Sequence, residues 1–399
     1  MQRTVLTEFQ VKNFKSIRDL RLEPGRVTVL IGENGSGKSN ILEALAFAGA
    51  TVADKLDHEF LASRGIRTTE PRFMCSAFDA GTAPEIHFIA RAGAAEVGFH
   101  VAAQSEVPGE VAAWELVLDR HGAPSGDSDE PILSEAFKAL ERAASAVGAQ
   151  LRAPRKNLRT ITERALMRVL VLHELGELPT FLIYSPENTA LRNFEQEGQI
   201  LPLGVKGEGL FQLLKKLSTD ESTMAELREN LRLLDWFGDI RLTSDLAPYE
   251  RTLRIRDRYL AVPEGNPLEY FDQRSANEGF LFLLFYFALV ISPDTPKLFA
   301  IDNIDASLNP KLCTELMRRL VALAVKHDKQ ILITTHNPAI LDGLDLNDPD
   351  QRLYTVHRNS KGHTKARRVT APKPVGDEPP VKLSEAFLRG LLGGLPQNF

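Results

Sequence analysis

The sequence predicts an α/β protein built on a mixed sheet, with a separate set of antiparallel strands inserted into the chain. Three observations carry that prediction. Val27–Ile31 (VTVLI) is a short, β-branched apolar run of the kind a buried strand shows. It leads through GENGSGKSN into ILEALAFAGA, where Ile41, Leu42, Leu45 and Ala46 recur at helical spacing. Far downstream, Lys297–Asp302 (KLFAID) and Gln330–Thr335 (QILITT) read as two more buried strands, separated by a helix over Pro310–Val325. Between these regions, Glu85–Arg91, Glu96–Ala102 and Ala113–Leu118 alternate apolar and polar residues across Gly, Pro and Ser turns, which is antiparallel patterning. Buried strands alternating with helices argue a parallel or mixed sheet.

The other elements follow in chain order. Val5–Val11 and Leu20–Leu22 read as strands around a turn at Asn13–Ser16. A polar loop over 119–131 precedes a helical stretch from Ile132 to about His173, interrupted at Pro154. Arg152, Arg155, Lys156, Arg159, Arg164 and Arg168 make residues 152–168 the most basic part of the chain, either a solvated helix face or a nucleic-acid contact. Phe181–Tyr184 is a strand ended by Ser185-Pro186, residues 207–233 are helical with a break at Thr219, and residues 238–261 hold two strands. Ser275–Ile291 is a buried helix; its apolar run from Phe280 is shorter than the ~20 residues a membrane span needs. A short helix at Pro338–Asp342 stopped by Gly343, strands near 352–357 and 364–370, and a helix near 382–392 finish the chain. Asp345, Asp348 and Asp350 fall in a turn-like DLNDPD and read as a solvated loop.

Composition bounds the function. The 399 residues carry a net charge of -5, with 43% hydrophobic and 25% charged residues, which excludes disordered and collagen-like chains. That length implies two or three domains, or one large domain with an insertion. The negative balance argues against coating nucleic acid by bulk charge and leaves room for a local basic groove. Cys75 and Cys313 are the two cysteines, with no CxxC pair, so neither a structural zinc site nor a disulfide framework is expected. The N-terminal MQRTVLTEFQVKNFKSI lacks the apolar segment of a signal peptide, and the expectation is a cytoplasmic protein with no membrane partner.

Gly32–Ser39 reads G-E-N-G-S-G-K-S and matches the phosphate-binding P-loop G-x-x-x-x-G-K-[ST] without departure. Glycines let backbone N–H groups turn toward a phosphate, and the helix that starts at the loop's end directs its positive dipole end at the same anion. Lys38 supplies a point charge for the β- and γ-phosphates and Ser39 a hydroxyl for Mg²⁺. Gly32, Asn34, Gly35, Ser36, Gly37, Lys38, Ser39 and Asn40 form the candidate phosphate-binding set. Asp302, ending the buried KLFAID strand, stands where a second acid holds Mg²⁺, so Ser39 and Asp302 are the candidate metal residues. His336, just past QILITT, is placed to bond a γ-phosphate or its attacking water.

With these residues in view, the chain resembles ABC-type ATPases of the SMC/RecF-like branch, and within it the stand-alone ATPases of the OLD (overcoming lysogenisation defect) group. FQVKNFKSI and VTVLIGENGSGKSNILEAL resemble the N-terminal β-hairpin and P-loop of that branch. IDNIDASLNP resembles its Walker B and D-loop segment, commonly D-E-P-E-x-x-L-H-P; ITTHNPAILD resembles its switch-histidine segment; SANEGFLFLLFYFAL resembles its signature helix, which usually starts L-S-x-G. The resemblance frames residues 4–50 and about 270–345. The fold it implies is a P-loop ABC-type ATPase head with a mixed sheet, plus an inserted antiparallel β lobe and a helical arm. Residues 1–60 and 266–399 would form the two parts of the head, with 1–50 and 270–399 brought together on one sheet, and 61–265 the lobe and arm.

The resemblance also implies a mechanism. Two heads pair face to face as a homodimer, and ATP with Mg²⁺ at one P-loop is completed by the signature of the other. Asn277 and Gly279 match the signature serine and glycine; an ordinary helix N-cap is the alternative for Asn277. The largest departure is Asn303, where the family places the glutamate that activates water. An amide cannot take that proton. Asp305, aligned with the second acid of D-E-P-E, would replace it if the loop bends toward the phosphate; otherwise hydrolysis is slow. Asn13 and Lys15 match positions that reach the base or ribose, with a plain turn as the alternative. No Q-loop glutamine is assigned, although Tyr184-Ser185-Pro186-Glu187 ends a strand nearby. OLD proteins usually carry a C-terminal TOPRIM nuclease, and the stretch after Asp342 is too short for one. A separate effector, nuclease or toxin, is therefore expected, in anti-phage defence or DNA processing. A RecF-like ATPase that binds duplex DNA through 152–168, and a non-hydrolysing nucleotide-dependent scaffold, are the competing readings.

Overall fold

The computed structural model describes residues 5–69, 71–78, 85–93, 95–103, 114–119, 175–195, 202–243, 251–263, 265–371 and 381–394. The expected helical arm over 132–173, with its basic stretch 152–168, lies outside the described residues. The strands are β1 (Leu6–Phe14), β2 (Ile17–Leu22), β3 (Val27–Ile31), β4 (Glu85–Ala92), β5 (Ala95–Ala103), β6 (Trp114–Asp119), β7 (Ile183–Tyr184), β8 (Phe237–Leu242), β9 (Leu253–Asp257), β10 (Phe271–Asp272), β11 (Leu298–Ile301), β12 (Gln330–Thr335), β13 (Gln351–Arg358) and β14 (Thr364–Val369). The helices are α1 (Lys38–Val52), α2 (His58–Ser63), α3 (Pro71–Met74), α4 (Asn188–Arg192), α5 (Leu210–Leu217), α6 (Glu221–Leu231), α7 (Glu278–Ile291), α8 (Pro310–Lys326) and α9 (Leu383–Leu388).

A six-stranded sheet in the order β14-β13-β3-β12-β11-β7 forms the centre. The strands from β13 to β7 run parallel, and β14 closes one edge antiparallel to β13. Such strands must be covered on both faces, which explains their unbroken apolar runs. All residues of β3, β11 and β12 are buried. One face of the sheet, with Val27, Val29, Ile31, Phe299, Ile301, Ile331 and Ile333, packs on α5 to α8. The other face, with Leu30, Leu298, Ala300 and Leu332, packs on α1 and a second sheet. The α7 helix is buried from Phe280 to Ile291, as its all-apolar sequence requires. Among the described residues, no helix is long and apolar enough to cross a membrane.

The second sheet is five-stranded and antiparallel, in the order β2-β1-β4-β5-β6. Here the arrangement differs from the sequence expectation of a single sheet shared by 1–50 and 270–399. From the first fifty residues only β3 joins the central sheet. The β1–β2 hairpin instead pairs with β4, with Phe9 opposite Ala90 and Val11 opposite Phe88, so the inserted antiparallel strands extend the hairpin's sheet. Phe88 of β4 packs against Phe9 and Phe99 of the flanking strands and against Phe47 of α1. The central sheet in turn takes β7 from the middle of the chain, covering the edge that β11 would otherwise expose. A small ribbon, β10-β9-β8, precedes α7.

Candidate functional site

The five parallel strands end on one side of the central sheet, and the P-loop begins there, immediately after Ile31. Two of its glycines are dictated by neighbours. A side chain at Gly32 would overlap the Val356 carbonyl of β13. Gly37 has φ +102, and a Cβ there would overlap the Thr364 hydroxyl at the start of β14. Gly37 is also the N-cap of α1 and caps nothing with a side chain, which leaves the first amides of α1 directed at the loop. Asn34 and Gly35 stand exposed at its outer turn, while Ser36 is buried.

Lys38 is 5% exposed and turns back into the loop, donating to the Gly32 and Glu33 carbonyls, each at 2.9 Å. Burial pulls its ammonium down to about 8, against the opposing pull of Asp302, Asp305 and Glu33. His336 Nδ1 lies 3.4 Å from Lys38 Nζ. Burial and the Lys38 charge hold this imidazole below the usual histidine range, with Asp305 and a hydrogen bond to the Gly32 backbone opposing. His336 therefore sits at the loop's mouth as a neutral group able both to donate and to accept.

Asp302 faces the loop from the end of β11. Ser39 Oγ donates to both of its oxygens, at 3.0 and 3.3 Å, and Thr334 Oγ1 also donates to it. Thr334 Oγ1 in turn accepts from the Asn303 amide at 2.9 Å, so one hydroxyl fixes both the carboxylate and the turn that follows it. Asn303 has φ +55, a conformation asparagine tolerates better than most residues. This reversal carries the chain back across the strand ends. Asp305 there accepts from Thr335 Oγ1 at 2.6 Å and from the His336 amide at 3.3 Å. Lys38, Ser39, Asp302, Asp305 and His336 thus converge, and Asn303 is exposed beside them.

Asn277 and Gly279 lie at the entry to α7. Asn277 is its N-cap, with Oδ1 accepting from the Phe280 amide at 2.8 Å. Gly279 faces Ser307 and Leu308 of the loop after β11. Among the described residues, no hydrogen bond ties Asn277 or Gly279 to the P-loop of the same chain. Asn13, near the end of β1, and Lys15, in the β1–β2 turn, have φ +64 and +46. Asn13 is buried and donates to the Glu85 carbonyl at 2.6 Å. Lys15 Nζ pairs with Glu43 of α1 and donates to the Arg67 carbonyl at 3.0 Å; burial lowers its ammonium while Glu43 raises it.

Several supporting residues were not legible in the sequence. Thr334 and Thr335 orient the two aspartates, and the adjacent TT before His336 was the only signal. A second chain of hydrogen bonds runs from Arg67 Nη2 to Asn40 Oδ1 (3.1 Å), from Asn40 Nδ2 to Ser16 Oγ (2.6 Å), from Ser16 to Thr364 (2.7 Å), and from Thr364 Oγ1 to the Ser36 carbonyl (2.9 Å). It ties the hairpin turn, α1 and β14 to the P-loop across most of the chain's length, so no local spacing reveals it.

The residues fit the groups that the motif implies. The Ser36 hydroxyl is buried in the loop with no hydrogen-bond partner among the described residues, an acceptor-hungry group that a phosphate oxygen would satisfy. Ser39 and Asp302 offer hydroxyl and carboxylate oxygens, the hard donors that Mg²⁺ selects.

Comparison with known proteins agrees with this geometry. Residues 5–79 match the family described as "AAA ATPase domain", and residues 212–342 the family described as "AAA domain, putative AbiEii toxin, Type IV TA system". Over 53 residues the chain is 49% identical to the chromosome partition protein Smc of Methanocaldococcus jannaschii. That match covers 13% of this chain and 4% of that protein's length. An Smc head solved in complex with the C-winged helix domain of ScpA superposes with a TM-score of 0.55 at 14% identity, covering 92% of this chain and 98% of that one. The SMC head domain from Thermotoga maritima superposes at 0.43 with 16% identity, covering 91% and 98%. The chain has the fold of an SMC head. Two of its stretches, 5–79 and 212–342, match AAA ATPase-type family descriptions.

Proposed function

We propose that this chain is an OLD-like ATPase subunit that binds ATP with Mg²⁺, pairs with a second copy across the nucleotide, and hydrolyses it slowly. The observation that carries this reading is the arrangement around Asp302: a complete P-loop facing a Walker B carboxylate, followed by an amide instead of a glutamate. Ser39 and Asp302 would hold Mg²⁺, which neutralises phosphate charge. Lys38, the amides opening α1 and the Ser36 hydroxyl bind the phosphates. His336 bonds the terminal phosphate or the water that attacks it. Asp305, brought beside His336 by the turn at Asn303, accepts the water's proton in place of the missing glutamate. Asn277 and the amides opening α7 reach the nucleotide of the second copy. The nucleotide-closed pair then governs a separate effector, nuclease or toxin, in anti-phage defence or DNA processing; the description of one matching family as a putative toxin of a type IV TA system supports a link to a toxin.

Turnover by the purified protein tests this reading. Slow wild-type hydrolysis, a rise on Asn303→Glu and a loss on Asp305→Ala are the expected results. Wild-type turnover at the ~10 s⁻¹ typical of enzymes, unchanged by Asp305→Ala, contradicts the slow switch. No turnover in either wild type or Asn303→Glu, with ATP bound, favours the non-hydrolysing scaffold. Duplex-DNA affinity that falls with salt and rises with ATP favours the RecF-like reading, in which 152–168 contacts DNA.

A further inference from the structure

Beyond the phosphate-binding residues, one arginine joins the two halves of the site. Strand β7 lies beside β11, and the Tyr184 carbonyl accepts from the Asp302 amide at 2.8 Å. The chain then turns through Ser185-Pro186-Glu187, with Ser185 and Glu187 pinned by backbone bonds to Val205 and Lys206, and enters α4. At the end of α4, the Arg192 guanidinium donates to three backbone carbonyls: Gln273 at 3.1 Å, Arg274 at 2.6 Å and Ala276 at 2.7 Å. Its remaining Nε donates to Asn188 Oδ1 at 2.8 Å. These carbonyls immediately precede Asn277, the cap of α7. Gln273 is 1% exposed and returns the contact, its Nε2 donating to the Arg192 carbonyl at 3.3 Å and its Oε1 accepting from the Leu253 amide at 3.0 Å.

The planar fork of a guanidinium can hold several carbonyls in one fixed geometry, which a lysine ammonium cannot. None of its partners among the described residues is an acid, so a salt bridge does not account for it. We propose that Arg192 is a positioning residue that ties the entry of α7 to the strand flanking Asp302, so that nucleotide at a head's own P-loop sets how firmly that head presents Asn277 and Gly279. This coupling rests on the ATPase reading above; the mechanical clasp itself does not.

Hydrogen exchange on the full chain tests both parts. Without nucleotide, Arg192→Ala raises exchange of the amides in 277–284 by ~tenfold or more, while α1 keeps its protection. With ATP and Mg²⁺, the wild type gains protection in 277–284. Arg192→Ala loses that gain although its ATP affinity stays within about threefold of wild type. Arg192→Lys, which keeps the charge and loses the fork, gives an intermediate result and stands in if the alanine variant does not fold. Wild-type exchange in 277–284 in the variants, or a nucleotide response equal to wild type, overturns the proposal. A wild type that binds ATP without any change in 277–284 overturns the coupling. A wild type that binds no ATP overturns the ATPase reading instead, and the nucleotide-free comparison still decides whether Arg192 holds the entry to α7.

Discussion

Lys38 makes the site sensitive to pH. Its ammonium titrates near 8 because burial outweighs the surrounding carboxylates. In the proposed function, phosphate binds the protonated form and raises its pKa. Affinity is therefore complete below about pH 8 and falls as pH rises above it, because binding must then take up a proton. ATP affinity measured from pH 6.5 to 9.5 should be flat and then decline, and Lys38→Met should remove both the affinity and the slope. Thr334 gives a second residue-scale prediction. It donates to Asp302 and accepts from the Asn303 amide, so Thr334→Val takes one hydrogen bond from the carboxylate and one from the amide. The expected cost is about 1–3 kcal/mol in stability, seen in denaturant unfolding, together with a lower turnover. Unchanged stability would remove Thr334 from its bridging role.

Individual elements show which parts of the protein a sequence reveals. The P-loop, the strand before it and the helix after it are continuous in the chain, so their motif and periodicity were readable. The same holds for β11 with Asp302, for β12 with His336, and for α7, whose apolar run leaves no solvent face. The partners of β1 and β2 were not readable, because alternation sets which face is buried and says nothing of which strand lies alongside. Thr364 was equally hidden: it lies 328 positions from Ser36, yet its hydroxyl binds the Ser36 carbonyl. Its contact makes an element-scale prediction. Gly37→Ala must leave φ +102 and push β14 away, so it should abolish ATP binding and lower the unfolding midpoint. Thr364→Val keeps the shape and loses the bond, so it should weaken binding more mildly. At a site remote from the nucleotide, Asp220 caps α6 by accepting from the Ser222 and Thr223 amides. Asp220→Ala should cost ~1 kcal/mol without altering ATP affinity.

At the scale of the molecule, the central sheet separates two cores, and the P-loop, Asp302 and His336 gather where β3, β11 and β12 end. The P-loop is braced from the α1 side by the hairpin turn and β14. The α7 entry is braced from the other side by Arg192 and the β8–β10 ribbon. The same head thus carries a phosphate cradle and, separately, an amide-rich helix entry whose capping residue makes no hydrogen bond to that cradle among the described residues. The proposed pairing of two copies across the nucleotide would use both features at once. Sedimentation velocity of the purified chain, with and without ATP and Mg²⁺, measures this most directly. The account predicts a species of twice the mass only with ATP, absent in Lys38→Met. One unchanged species in both conditions, with ATP shown to be bound, would contradict it.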